Sequence, residues 1–338
     1  MGMPRRPEAM SNVACAPRQA IIAVTYRCNA RCRMCDIWQR DFVSEVEPGF
    51  YEHLPRSLHE VNLSGGEPVL RTDLVDIVAV IARRLPEARI IVSTNGLLTE
   101  RLARLAQELR CLIPRLGVRV SIDGVGAVHD RIRGFKGAYE QAWASIRALR
   151  KAGIVDLGIA FTMVSGNEDQ LLPLYDRAAT MGLEFTSTVA HSSPIYFGPQ
   201  ADARPDPASA GVAYEELRRR QLSSMQVKNW FRSEFTAGLR DLARGQPRPI
   251  DCLAGAAFFF LDPTGTVFPC HLQNWPLGPL DEGYARLLAR NTAILGQAAR
   301  CRANCWMTCV VGPLMRRQLP SITMRVFVAR VRALLGSY

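Results

Sequence analysis

The stretch Ile21-Ile22-Ala23-Val24-Thr25-Tyr26-Arg27-Cys28-Asn29-Ala30-Arg31-Cys32-Arg33-Met34-Cys35 runs an apolar segment straight into three cysteines spaced Cys-x3-Cys-x2-Cys. The apolar part reads as a buried strand over residues 21–26, which puts the thiols at its C-terminal end. In parallel α/β folds that edge is where active sites collect. Three thiolates in so short a loop can wrap a small metal centre. Structural zinc wants four closed ligands, and His53 and His59 make no familiar zinc spacing with the loop. A cubane iron–sulfur cluster normally takes four cysteines, so three leave one iron free to bind something else. Spacing favours iron–sulfur and leaves zinc open.

Outward from this loop, residues 19–191 repeat a short apolar strand, a loop and an amphipathic helix. Strands are expected at residues 21–26, 60–63, 89–92, 118–122, 157–164 and 184–189. Helices are expected near 49–58, 73–85, 99–111, 138–151 and 167–181, with Asp73 and Thr99 as N-caps. Six β units separated by helices mean parallel strands with crossover helices, in a partial barrel or a doubly wound sheet.

Each predicted strand end then carries polar residues in order. The second is followed by Gly65-Gly66-Glu67-Pro68 and the third by Ser93-Thr94-Asn95-Gly96. The fourth ends in Ser121-Ile122-Asp123-Gly124, followed by His129-Asp130-x-Ile132-Arg133-Gly134. With the cysteine loop, these segments resemble the radical S-adenosylmethionine (SAM) enzymes over residues 19–191. The resemblance implies a partial (β/α)6 TIM-like barrel whose Cys28, Cys32 and Cys35 hold a [4Fe–4S] cluster, its open iron chelating the amino and carboxylate groups of SAM. It implies reductive cleavage of SAM to a 5′-deoxyadenosyl radical that takes hydrogen from a substrate. Gly65 and Gly66 would let the backbone approach the methionine moiety, and Glu67, ahead of Pro68, would accept from its ammonium. Ser93, Asn95, Ser121 and Asp123 offer groups for the ribose or carboxylate. Met34 stands where many members have an aromatic near the adenine. Arg133 is either a bidentate partner of the SAM carboxylate or a surface arginine in a turn.

A second group of cysteines lies far downstream. Cys252 and Cys270 frame a Cys-x12-Gly-x4-Cys pattern through Gly265, and Cys301, Cys305 and Cys309 follow. A hairpin is expected from 258–261 to 267–268 through Asp262-Pro263-Thr264-Gly265. This resembles the C-terminal cluster domain of the SPASM and twitch branch of the family, a small cysteine-rich α+β module. Five cysteines fit one auxiliary cluster, a [4Fe–4S] cubane leaving one of the last three spare; a structural zinc is the alternative. Cys15 and Cys111 stand alone and are expected to be small buried hydrophobes.

The resulting division is a tail (1–18), the core (19–191), a linker and helical bridge (192–250), the cluster module (251–312) and an amphipathic C-terminal helix (313–338). Pro194, Pro199, Pro205 and Pro207 mark a linker or lid, followed by helix over about 214–243. The last helix places Ile322, Val326, Val331 and Leu335 on one side, suited to packing on its own domain or lying on a membrane surface, the former expected. His191, Glu184 and Tyr196 are candidates for the substrate cavity.

Hydrophobic residues make up 48% and charged residues 22% of the 338, the balance of a globular enzyme. Basic residues exceed acidic by 42 − 31 = 11, yet only Lys136, Lys151 and Lys228 are lysines and the arginines are scattered, so no nucleic-acid partner is expected. No apolar run suits a membrane span or a secretory signal, and so many thiols suit a reducing cytoplasm. The leading function is radical oxidation, epimerisation or decarboxylation of a small polar substrate, such as a sugar, aminocyclitol or nucleoside in antibiotic assembly. Flavodoxin or ferredoxin is the expected electron donor. The alternatives are a ribosomal peptide substrate, disfavoured by the short segment before the first strand, a glycyl-radical activase, and a non-catalytic iron–sulfur or zinc protein.

Overall fold

Parallel strands buried on both faces read as near-continuous apolar runs; of the core strands, those over residues 19–25 and 116–121 are buried nearly throughout, whereas those over 60–65, 89–94 and 184–189 mix buried with half-buried residues. In the computed structural model, which describes residues 16–41, 44–198, 203–301 and 305–334, the six are β1 (Gln19–Thr25), β2 (Glu60–Gly65), β3 (Arg89–Thr94), β4 (Leu116–Ser121), β5 (Asp156–Met163) and β6 (Glu184–Val189). All are parallel and adjacent in sequence order. Helices α1 (Leu74–Arg84), α2 (Thr99–Leu112), α3 (Ala127–Arg133), α4 (Ala138–Lys151) and α5 (Leu171–Thr180) lie in the crossovers. In α1, Leu74, Ile77, Val78 and Ile81 repeat at helical spacing and are fully buried. The sheet is open, a partial barrel rather than a closed one.

Several local expectations are corrected. Residues 49–58 form only a 3-10 turn at Pro48–His53, because the segment buries Tyr51 and Leu54 without the length of a helix. Asp73 stands at the N-cap of α1, as expected, but its side chain makes no cap bond: both its oxygens are held by Arg71, at 2.7 and 2.6 Å. Thr99 is inside α2, its hydroxyl turned to Ser145 of α4 at 2.8 Å. Asn167 lies outside α5, where its amide donates to the Asp123 and Thr162 carbonyls and ties β4 to β5. Cys111 is exposed on α2, and Cys15 lies outside the described residues.

The bridge is two helices, α6 (Pro207–Ser223) and α7 (Val227–Ala243). The linker before them is packed: Ile195 and Tyr196 are buried, and Ser193 pairs with Gly198 across a one-residue bridge. Pro199 lies outside the described residues. The predicted hairpin forms as β7 (Phe258–Leu261) and β8 (Thr266–Phe268), with a short β9 (Gly278–Pro279) beside it. Its setting was not foreseen. The hairpin does not stand apart, since β7 joins the barrel sheet parallel to β1, Gln19 opposite Phe258. That is why its four residues are wholly buried. Helices α8 (Tyr284–Arg290), α9 (Thr292–Ala299), α10 (Thr308–Arg317) and α11 (Leu319–Leu334) complete the chain. Ile322 and Val326 of α11 are buried and the helix lies on α6 and α7, as its own-domain packing requires. Val331 is exposed, however, and Leu335 is outside the described residues.

Candidate active site

The cysteine loop leaves β1 and is stitched to the other side of the barrel mouth. The Arg31 and Arg33 amides donate to the carbonyls of Arg133 and Ile132 in α3, at 3.1 and 2.8 Å, and the Asp36 amide donates to Phe197 at 2.7 Å. Cys28, Cys32 and Cys35 are half-buried and sense one another's charge. Burial pushes Cys28 up to about 11 and Cys35 up to about 12, and raises Cys32, while the Arg133 charge opposes the rise in each. The metal-free thiols are therefore protonated at neutral pH, and a bound cation would strip them.

The glycines after β2 serve packing against the chain itself. The Gly66 amide donates to the Thr25 carbonyl at 2.8 Å, and a Cβ on Gly66 would run into the Arg27 carbonyl. Glu67 is fully buried, and its carboxylate accepts from the Thr94 hydroxyl (2.8 Å), the Val69 amide (3.2 Å) and the Asn95 amide (2.7 Å). It joins the ends of β2 and β3, three of the roughly four acceptor sites of its carboxylate being used within the chain; Pro68 starts the buried turn that follows. Asn95 bonds Asn29 at 2.7 Å and so fixes the cysteine loop, while Ser93 bonds Asn62 at 2.9 Å inside the barrel.

Asp123 and Arg133 form a buried pair at 2.5 Å, and Asp123 also accepts from the Thr162 amide at 2.7 Å. Arg133 is thus neither a surface residue nor a free carboxylate clamp. Its other fork lies 3.5 Å from the Cys32 sulfur. Ser121 is half-buried at the end of β4, and Met34 is buried against Ile132, Val164 and Ala203 beside Cys32.

Below this rim a cavity of about 400 Å³ runs through the barrel. Hydroxyls and an amide line it along its length: Asn62, Ser64, Ser93, Thr162, Thr186 and Thr188. Tyr196 forms part of its wall, its hydroxyl bonded to Ser64 at 2.9 Å and to the Gly65 amide at 3.0 Å. Glu184 also lines it, but as the first residue of β6 it sits at the end away from the cysteines. There its carboxylate is held by Lys228, at 2.6 Å, and by Arg232. His191 is absent from the cavity lining; burial leaves it neutral, its pKa pushed down to about 4.

On the far side, Cys252, Cys270, Cys301 and Cys305 line one recess together with His271. Burial pushes Cys270 up to about 12 and Cys305 to about 11, and raises Cys252 and Cys309. Among the described residues no group of three His, Cys, Asp or Glu side chains is drawn together tightly enough for one metal ion; the four thiols share one recess, and thiolate sets of this kind suit iron–sulfur or zinc. Cys309 opens onto the barrel cavity, and His271 lines both spaces, its Nδ1 buried without a partner. His271 was not singled out from the sequence, although it adjoins Cys270. Nor was Arg248, which donates to the Cys305 sulfur at 2.9 Å.

Residues 22–177 match the model of the radical SAM superfamily. Over those residues the chain carries a radical SAM domain. Cys28, Cys32 and Cys35 lie within the matched residues, half-buried at the barrel mouth. The chain is 37% identical over 165 residues to pre-heme d1 synthase of Dinoroseobacter shibae, covering 46% of this chain and 39% of that one. It thus spans less than half the length of that relative. It is 28% identical over 285 residues to AdoMet-dependent heme synthase of Methanosarcina barkeri, 78% of each chain. The fold is shared with native anSMEcpe with bound AdoMet and Cp18Cys peptide, at a TM-score of 0.59, 16% identity, and coverage of 84% and 82%. No helix among the described residues is long and apolar enough to cross a membrane.

Proposed function

We propose that this radical SAM enzyme oxidises, epimerises or decarboxylates a small polar molecule, of the sugar, aminocyclitol or nucleoside class, with an auxiliary iron–sulfur cluster on the downstream cysteines. The observation that carries this is the cavity of about 400 Å³ inside the barrel, lined by hydroxyls and reaching Cys309 and His271. Its volume is near the low end of the roughly 300–1,000 Å³ of small-molecule sites. When bound, the cluster supplies one electron that splits SAM into methionine and a 5′-deoxyadenosyl radical, which takes a hydrogen atom from substrate.

The chain's own residues do the rest. Cys28, Cys32 and Cys35 hold the SAM cluster; Asn29, Asn95 and Glu67 fix the loop and strand ends around it. Asp123 neutralises Arg133 next to Cys32. Ser64, Ser93, Thr162 and Thr188 orient hydroxyl-bearing substrate, and Tyr196 and Phe197 close the wall against water. Cys252, Cys270, Cys301 and Cys305 hold the second cluster, close enough to the cavity to take an electron from an oxidised substrate. A ferredoxin or flavodoxin would feed the enzyme in a reducing cytoplasm, where unbridged thiols stay available to iron.

The test is anaerobic reconstitution with iron counting, followed by deuterium transfer from labelled candidates into 5′-deoxyadenosine. About eight irons per chain and transfer from a labelled sugar, aminocyclitol or nucleoside are expected. Transfer only from a peptide or a tetrapyrrole would overturn the substrate class.

A further inference from the structure

The two cysteine sites each have an arginine against a sulfur, and the two arginines differ in one respect. Arg133, near Cys32, is neutralised by Asp123 at 2.5 Å. Arg248 has no such partner. It follows α7 and turns back on the recess: Nη1 donates to Cys305 Sγ at 2.9 Å, Nη2 to the Cys301 carbonyl at 3.2 Å, and Nε to the Ile250 carbonyl at 2.9 Å. Among the described residues no carboxylate is paired with it. It also lines a separate outer cleft of about 440 Å³, which it shares with Cys305 and Trp306. A full positive charge is therefore spent on the sulfurs.

We propose that Arg248 is a positioning residue that sets the reduction potential of the auxiliary cluster, by adding one uncompensated charge and one hydrogen bond at Cys305. The proposal rests on the two-cluster reading above. Ligand counting gives about −1 for an oxidised cubane on three thiolates and about −2 on four. The neutral Arg133–Asp123 pair leaves the first value unchanged, whereas Arg248 brings the second back to about −1. Without it, each added electron enters a more negative site, and reduction becomes harder. Cluster potentials respond to net charge, hydrogen bonds to sulfur and solvent exposure, and Arg248 supplies the first two while standing between the cleft and the cage.

The experiment is an EPR-monitored redox titration of the anaerobically reconstituted full chain, comparing wild type, Arg248→Gln and Arg248→Lys, with the SAM cluster as internal reference. Arg248→Gln is expected to move the auxiliary midpoint to more negative potential and leave the SAM cluster midpoint in place. Arg248→Lys, which keeps the charge, is expected to stay near wild type. An unmoved auxiliary midpoint in Arg248→Gln, an equal shift of both clusters, or a lysine variant shifted as far as the glutamine variant overturns the proposal. If Arg248→Gln does not load a second cluster, a lysine variant that loads at the wild-type potential supports the charge role, and one that also fails to load overturns it. About four irons in wild type overturns the two-cluster reading and this inference with it; eight irons with unmoved potentials overturn this inference alone.

Discussion

The carboxylate of Asp123 and the guanidinium of Arg133 lie 2.5 Å apart in the barrel mouth, both buried. The pair spans the ends of β4 and α3, and Arg133 reaches on to the Cys32 sulfur at 3.5 Å. One ion pair thus ties the ends of β4 and α3 to the cysteine loop. Asp123→Asn removes the counter-charge and leaves a buried guanidinium uncompensated. A loss of about 3–5 kcal/mol is expected, read by urea unfolding of the metal-free protein, and Arg133→Met in the same background should recover part of it. If Asp123→Asn unfolds at the wild-type midpoint, the pair does not contribute as described.

Thiol burial gives the metal-free protein a defined alkaline weakness. Cys28 and Cys35 ordinarily titrate near 9 and are pushed up to about 11 and about 12 in the fold. The folded state therefore keeps these protons better than the unfolded chain does. Their contribution is fully present below pH 9 and is lost as pH rises from about 9 towards 12. Unfolding midpoints of metal-free protein should fall over that range, and a triple Cys28→Ser, Cys32→Ser, Cys35→Ser variant should fall less. Iron loading runs the opposite way. Because binding releases protons, affinity measured against a competing chelator should rise from pH 7 to pH 8.

The recess also ranks the downstream cysteines. Cys301 and Cys305 line it with Cys252 and Cys270; Cys309 lines the barrel cavity and also senses the charges of Cys305, Cys270 and Cys252. Cys301→Ala or Cys305→Ala should reduce iron from about eight to about four per chain, and Cys309→Ala should keep about eight. Iron assay with EPR of the reduced protein decides the assignment; loss of a cluster in Cys309→Ala would move that residue into the ligand set.

Filling the barrel separates substrate binding from SAM cleavage. Thr186 points into the cavity midway along β6, away from the cysteine loop. Thr186→Phe would occupy the space a substrate needs without touching Cys28, Cys32 or Cys35. Turnover should fall at least tenfold, about 1.4 kcal/mol in the barrier, while substrate-independent formation of 5′-deoxyadenosine continues. Equal loss of both activities would place the substrate elsewhere.

The strands of the core were legible because the positions of each that pack under the helices are apolar, and the polar residues after each one mark its C-terminal end. Six strands were located within a few residues, and the cysteine loop fell at the expected edge. What stayed hidden depended on partners remote in sequence. Arg133 and Cys32 are 101 residues apart, and Arg248 and Cys305 are 57 apart; no local pattern says which charge an arginine will meet. The partners of Glu67 were hidden for a related reason: Thr94 and Asn95, which donate to its carboxylate, lie 27 and 28 residues away. Phe258 to Leu261 was recognised as a strand, but an all-apolar run does not disclose its neighbour.

That neighbour has a consequence for biosynthesis. β1 is flanked by β2 on one edge and by β7 on the other. The second edge lacks its mate until residues near 258 have left the ribosome, long after residue 25. At about 5–20 residues per second the wait is on the order of 10–50 s. During it, the strand that feeds the thiol loop has an open rim, an aggregation hazard that a holdase or early docking of the loop would have to cover. Metallation of the nascent chain is therefore expected to follow translation rather than accompany it.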